Sequence, residues 1–235
     1  MTMSSDDSVQ PRITAFWDTI AADYEAHPGN VAALASAEYQ AWVETIRALL
    51  PPAPADVLDI GTGSGFAALI AAALGHRVTG IDLSESMLHE ARTEAEKRGL
   101  SLTFEHRDAV APGFAPESFD AIICRHLLWT LRKPEIALRN WRELLRPAGR
   151  VVAIDGFFFD DEQSEGESAG FVRKFYTRET VSALPVMGAK DTGPVVALFE
   201  RARLTNIEVS FLDHVHELAE QPPGEEPWYV IVARR

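Results

Sequence analysis

The run Val57-Leu58-Asp59-Ile60-Gly61-Thr62-Gly63-Ser64-Gly65 decides the fold. A short apolar segment enters a glycine turn, and Phe66, Leu69, Ile70 and Leu74 follow at helical spacing. This pattern predicts the first strand, turn and helix of a nucleotide-binding α/β unit. The glycines let the chain turn sharply and let a ligand lie against the backbone with no Cβ between them. Asp82 closes the next apolar strand about 20 residues past Gly61, where a ribose-binding carboxylate is expected.

The glycine spacing selects the nucleotide. Gly61, Gly63 and Gly65 form G-x-G-x-G rather than the dinucleotide pattern G-x-G-x-x-G, and Asp59 precedes them by two positions. A pyrophosphate needs a helix N-terminus free of nearby negative charge, whereas the ammonium of an aminoacyl ligand pairs well with such a carboxylate. D-I-G-T-G-S-G followed by V-T-G-I-D resembles motif I and the acidic partner of the class I S-adenosylmethionine-dependent methyltransferases, of the small-molecule type with a methyltransferase 11/25-like domain.

Later segments extend the resemblance. Leu102–His106 reads as a strand running into Asp108, which resembles the family residue that accepts the adenine amino group; a turn-capping Asp is the other reading. Phe119–Cys124 is an apolar strand, buried on both faces, with Cys124-Arg125-His126 at its carboxyl end. L-R-P-A-G-R-V-V (residues 145–152) resembles the family's turn into its fifth strand. The resemblance implies a Rossmann-like sheet of seven strands in the order 3-2-1-4-5-7-6, with strand 7 antiparallel and helices on both faces. It implies S-adenosyl-L-methionine as cofactor, with Tyr24, Asp59, Gly61, Thr62, Gly63, Gly65, Asp82, Leu83, Met87, Asp108, Ala109 and Arg125 at the cofactor.

Toward the N-terminus, residues 1–10 have the composition of a disordered tail. Residues 11–235 are then one methyltransferase domain, with 11–50 as an N-terminal helical cap and 156–205 contributing a substrate lid. F-W-D-x-I-A-x-D-Y (residues 16–24) looks like the family's cofactor-capping element. There Trp17 and Tyr24 lie near the sulfonium, which an aromatic face attracts, or else they pack as core. A helix over about Ser36–Leu50 with Trp42 on its apolar stripe reads as packing. Toward the C-terminus the periodicity gives a helix over Val195–Arg203 and strands over Ile207–Leu212 and Trp228–Ala233.

Composition bounds the partners. A formal net charge of −13 with 22 scattered basic residues argues against nucleic acid, whose phosphates demand clustered Lys and Arg. Cys124 is the single cysteine, so no internal disulfide or cysteine cluster can form. No stretch approaches the roughly 18 apolar residues of a membrane span. The expectation is a cytoplasmic enzyme acting on a small-molecule acceptor, with no membrane and no metal, and with a homodimer allowed.

The expected reaction is methyl transfer to an oxygen or nitrogen of a small organic molecule, as in specialised-metabolite biosynthesis. His126 is the candidate general base, since it follows the fourth strand where the acceptor should approach; an ordinary hydrogen-bonded histidine is the alternative. Tyr24 is the second candidate catalytic residue, implied by the resemblance. His214 and His216 fall on one face of a predicted strand and are too few to hold a metal. The competing functions are an NAD-dependent oxidoreductase, opposed by the glycine spacing and Asp59, and a non-methylating cofactor-binding protein on the same fold.

Overall fold

The computed structural model describes residues 9–24, 36–157, 174–218 and 228–235, with the side chains of 22–24 left undescribed. In chain order its elements are α1 (Val9–Tyr24), α2 (Ala37–Leu49), β1 (Asp56–Ile60), α3 (Phe66–Ala73), β2 (Arg77–Asp82), α4 (Glu85–Lys97) and β3 (Thr103–His106). There follow β4 (Phe119–Arg125), a 3-10 turn (Leu128–Thr130), α5 (Pro134–Leu144), β5 (Leu145–Asp155), α6 (Arg178–Ser182), α7 (Gly193–Arg201), β6 (Thr205–Phe211), α8 (Asp213–Leu218) and β7 (Tyr229–Arg234).

The strands form one seven-stranded sheet in the order β3-β2-β1-β4-β5-β7-β6. The first five run parallel, and β7 is antiparallel to both β5 and β6. This is the Rossmann-like arrangement implied by the family resemblance. Local signals explain the helix ends. Ser36 and Ser84 accept hydrogen bonds from Tyr39 N and Met87 N at the starts of α2 and α4, Gly99 adopts a left-handed φ of 64° beyond α4, and Pro134 opens α5.

The core has a layer on each sheet face. On one, Trp141 and Leu138 of α5 and Phe199 of α7 pack on Leu58, Ile122 and Val151. On the other, Trp42 and Ile46 of α2 and Ile70 of α3 pack on Val57, Ile123 and Val152. Alternate residues of each central strand therefore serve opposite layers. Trp42 is packing, as expected, and Cys124 is a buried free thiol in the first layer.

A third, smaller cluster lies beyond the carboxyl ends of the strands. Val9, Ile13 and Phe16 of α1 meet Trp129, Tyr176, Leu184 and Met187. The segment expected as a lid thus has its described part, from residue 174, held against α1, while 158–173 lies outside the described residues. Its α7 belongs to the main core instead. Of the expected 11–50 cap, α2 joins the sheet layer and α1 alone borders the cleft. His214 and His216 sit on α8, not on a strand. His214 Nε2 lies 3.0 Å from Thr45 Oγ1, and His216 stands edge-on to Trp228. Among the described residues no helix is long and apolar enough to cross a membrane.

Candidate active site

Parallel order reverses between β1 and β4, and a cleft opens at the carboxyl ends of the strands there. Its floor is the glycine turn. Gly61 and Gly63 take φ of 67° and 54°, values that side chains resist. A Cβ on Gly61 would lie 2.7 Å from Leu127, whereas none of the protein lies within 4 Å of one on Gly63. Gly63 therefore presents bare backbone to the cleft. Gly65 does not line it; a Cβ there would crowd Ala91 and Phe104 at 3.2 and 3.3 Å, so this glycine serves the packing of α3.

Asp59 is 1% exposed at the bottom of the cleft. Its Oδ2 accepts hydrogen bonds from Thr62 Oγ1 (2.8 Å) and Ala68 N (3.0 Å). Burial nevertheless outweighs these bonds and pushes its pKa up to about 7. A buried carboxylate balanced between its two protonation states suits a cationic group of a ligand. Nearby, the Thr62 N–H donates to Ile81 O at 2.9 Å, tying the turn to β2.

Asp82 stands on the wall at the end of β2. Its Oδ2 accepts from Gly63 N and its Oδ1 from Ser84 N, each at 2.9 Å. Both oxygens are thereby fixed in direction, and the Leu83 N–H bonds the carboxylate as well. Leu83, Met87, Asp108 and Ala109 continue the wall, as expected. Asp108 accepts from Val110 N through Oδ1 at 2.7 Å. It is thus a turn-capping Asp that also lines the cleft.

The opposite wall comes from α1 and the turn after β4. Gln10, Ile13, Thr14 and Trp17 line the cleft from α1. Asp18 holds this helix to α4 by accepting from Ser84 Oγ at 2.6 Å, and Arg12 pairs with Glu179 at 3.1 Å. From β4 and the 3-10 turn come Arg125, His126, Leu127, Thr130 and Leu131. The Arg125 guanidinium lies 4.5, 5.1 and 5.8 Å from the rings of Phe66, Trp42 and Trp228, an arrangement that holds it firmly at the wall.

His126 lines the cleft with a left-handed φ of 54°. Burial and the neighbouring Arg125 charge hold its pKa well below the ordinary histidine value. It is neutral at physiological pH but a weak proton acceptor, so its surroundings work against the base role expected from sequence. Tyr24 ends α1, and its side chain lies outside the described residues. Gln10, Ile13, Thr14 and Thr130 are cleft residues that motif reading misses. The first three share a helical face with Trp17, at positions i, i+3, i+4 and i+7, which is the signal that could have found them. Thr130 carries no comparable signal.

Residues 58–153 match a family model described as a methyltransferase domain. The chain is 34% identical over 140 residues to a ubiquinone biosynthesis O-methyltransferase of Dinoroseobacter shibae, covering 58% of this chain and 56% of that protein. It is 37% identical over 108 residues to a demethylmenaquinone methyltransferase of Thermus thermophilus, covering 45% of this chain and 49% of the relative. The chain thus spans about half the length of the curated relatives it matches. Among solved structures, a Haemonchus contortus phosphoethanolamine N-methyltransferase in complex with phosphomonomethylethanolamine and S-adenosylhomocysteine superposes with a TM-score of 0.67 at 19% identity, over 93% of this chain and 58% of that one.

Proposed function

We propose that this chain, which carries a methyltransferase domain on the class I fold, transfers a methyl group from S-adenosyl-L-methionine to an oxygen of a small organic acceptor. The observation that carries the reading is the convergence on one cleft of the bare backbone at Gly63, the fixed carboxylate of Asp82 and the buried carboxylate of Asp59. The O-methyltransferase relative favours oxygen over nitrogen.

The residues fit the cofactor. Asp82 would hold the ribose hydroxyls, Asp108 and Ala109 the adenine, and Asp59 the ammonium, with Leu83 and Met87 against the base and Thr62 and Arg125 completing the wall. When bound, the cofactor supplies a methyl group already activated by a positively charged sulfur. The protein's part is then alignment and exclusion of water, and alignment supplies roughly 7–11 kcal/mol in favourable cases. Trp17 and Ile13 line the cleft from α1, and Leu127 and Leu131 add apolar wall after β4.

Calorimetric titration with S-adenosylhomocysteine and with NADH tests the reading. Binding of S-adenosylhomocysteine alone is the expected result. Preference for NADH, or binding of neither, overturns it.

A further inference from the structure

The turn that follows β4 is built against two local preferences. His126 enters it with a left-handed φ of 54°, a conformation uncommon for a residue that carries a side chain. Leu127 then stands at the head of the 3-10 turn Leu128–Thr130 and offers its leading N–H groups no side-chain acceptor. Such groups have no partner within a helical turn and must find one elsewhere. Local interactions alone therefore do not hold this turn in shape.

The end of β5 supplies what is missing. Here β5 lies beside β4, with Ile154 paired to Arg125, and Ile154 O accepts the His126 N–H at 2.8 Å. The next side chain, Asp155, is 1% exposed. It accepts from the backbone N–H groups of Leu128 and Trp129, and from Gly156 N at 3.1 Å through Oδ1. A cap of this kind ordinarily comes from the residue just before the helical turn. In this chain it crosses from the neighbouring strand.

The turn so held is part of the cleft. His126, Leu127, Thr130 and Leu131 line it. The Leu127 side chain rests on the glycine floor, so close that a Cβ on Gly61 would lie 2.7 Å from it. Asp155 stands behind this wall rather than on it, and acts on a ligand only through the turn.

Resting on the cofactor reading above, we infer that Asp155 is a positioning residue: by capping the strained turn from β5 it keeps Leu127 seated on Gly61 and the cleft formed for S-adenosyl-L-methionine. A site that is formed only part of the time binds with an affinity reduced by that fraction. The strain at His126 and the cap at Asp155 act on the same equilibrium, one opening the turn and the other closing it. Their effects are therefore coupled, and relief of the strain lessens the demand on the cap.

Calorimetric titration with S-adenosylhomocysteine, paired with amide hydrogen exchange of the unliganded protein, tests this. Asp155→Ala should weaken binding roughly tenfold, as the loss of a cap does, and should speed exchange at Leu128 and Trp129 while leaving the centre of β1 unchanged. Asp155→Asn keeps one accepting oxygen, so it should fall between Asp155→Ala and the wild type, and it carries the test if the alanine variant does not fold. In a His126→Gly background, where glycine takes the left-handed φ without strain, the same changes at Asp155 should cost no more than about threefold. Wild-type affinity in the Asp155 variants, or equal losses in both backgrounds, overturns the assignment. So does exchange that rises throughout the sheet as much as in the turn, which would make Asp155 a support of the fold alone. If the wild type does not bind S-adenosylhomocysteine, the methyltransferase reading fails, and the exchange pattern still decides whether Asp155 caps the turn.

Discussion

Three carboxylates show how one side-chain chemistry is given different tasks by its surroundings. Asp82 has each oxygen fixed by a backbone N–H, so it would meet a ligand hydroxyl without reorganising. Its replacement by Ala should weaken S-adenosylhomocysteine binding at least tenfold, following the ~1.5–3 kcal/mol of a charged hydrogen bond; calorimetry reads this directly. Asp155 takes N–H groups from Gly156, Leu128 and Trp129, yet burial holds its folded pKa at about 8, far above the ~3.9 of an unfolded chain. The folded state therefore binds this proton more tightly. Its contribution to stability is complete below the unfolded value and is lost as pH rises through about 8. The urea midpoint should fall between pH 5.5 and 8.5, and Asp155→Asn should flatten that fall. Asp59 acts in the same direction, so the variant should keep part of the slope.

At the level of elements, α1 is the one that completes the cleft without belonging to either sheet layer. It is fastened through Asp18 to Ser84, through Arg12 to Glu179, and through an apolar face of Val9, Ile13 and Phe16. Asp18→Ala should raise hydrogen exchange in α1 and weaken S-adenosylhomocysteine several-fold, leaving exchange in β1 and β4 unchanged. Elements with strong periodicity are legible in the sequence: β1, β3, β4 and α2 fall within a residue of where the apolar spacing puts them, and α7, β6 and β7 are displaced by one or two residues, as end-fraying allows. α8 is illegible because its six residues hold less than two turns, and alternation around Val215 imitates a strand. The glycine floor and the carboxylate wall of the cleft could be read because glycine spacing and strand-end acids are local features. The contact of Thr130 with Tyr176 could not, since the two meet across 46 positions of chain.

Over the whole molecule, stability rests on the two layers that clasp the sheet. Trp42 is fully buried among Phe66, Trp228 and the Arg125 guanidinium. Trp42→Ala should cost about 3–5 kcal/mol by urea unfolding, and should also loosen Arg125 at the cleft. By contrast Arg146, bonded to Asp56 and Asp120 at 2.8 and 2.9 Å near the surface, should cost no more than ~1 kcal/mol when replaced by Ala, because solvent screens such pairs. The buried Asp59 also makes the molecule a proton donor to its surroundings. At pH 7 its pKa of about 7 leaves the carboxyl half protonated. A cation seated beside it ionises it and expels roughly half a proton. The heat measured on binding S-adenosylhomocysteine should therefore differ between phosphate and Tris, buffers whose ionisation enthalpies differ, and Asp59→Asn should erase that difference.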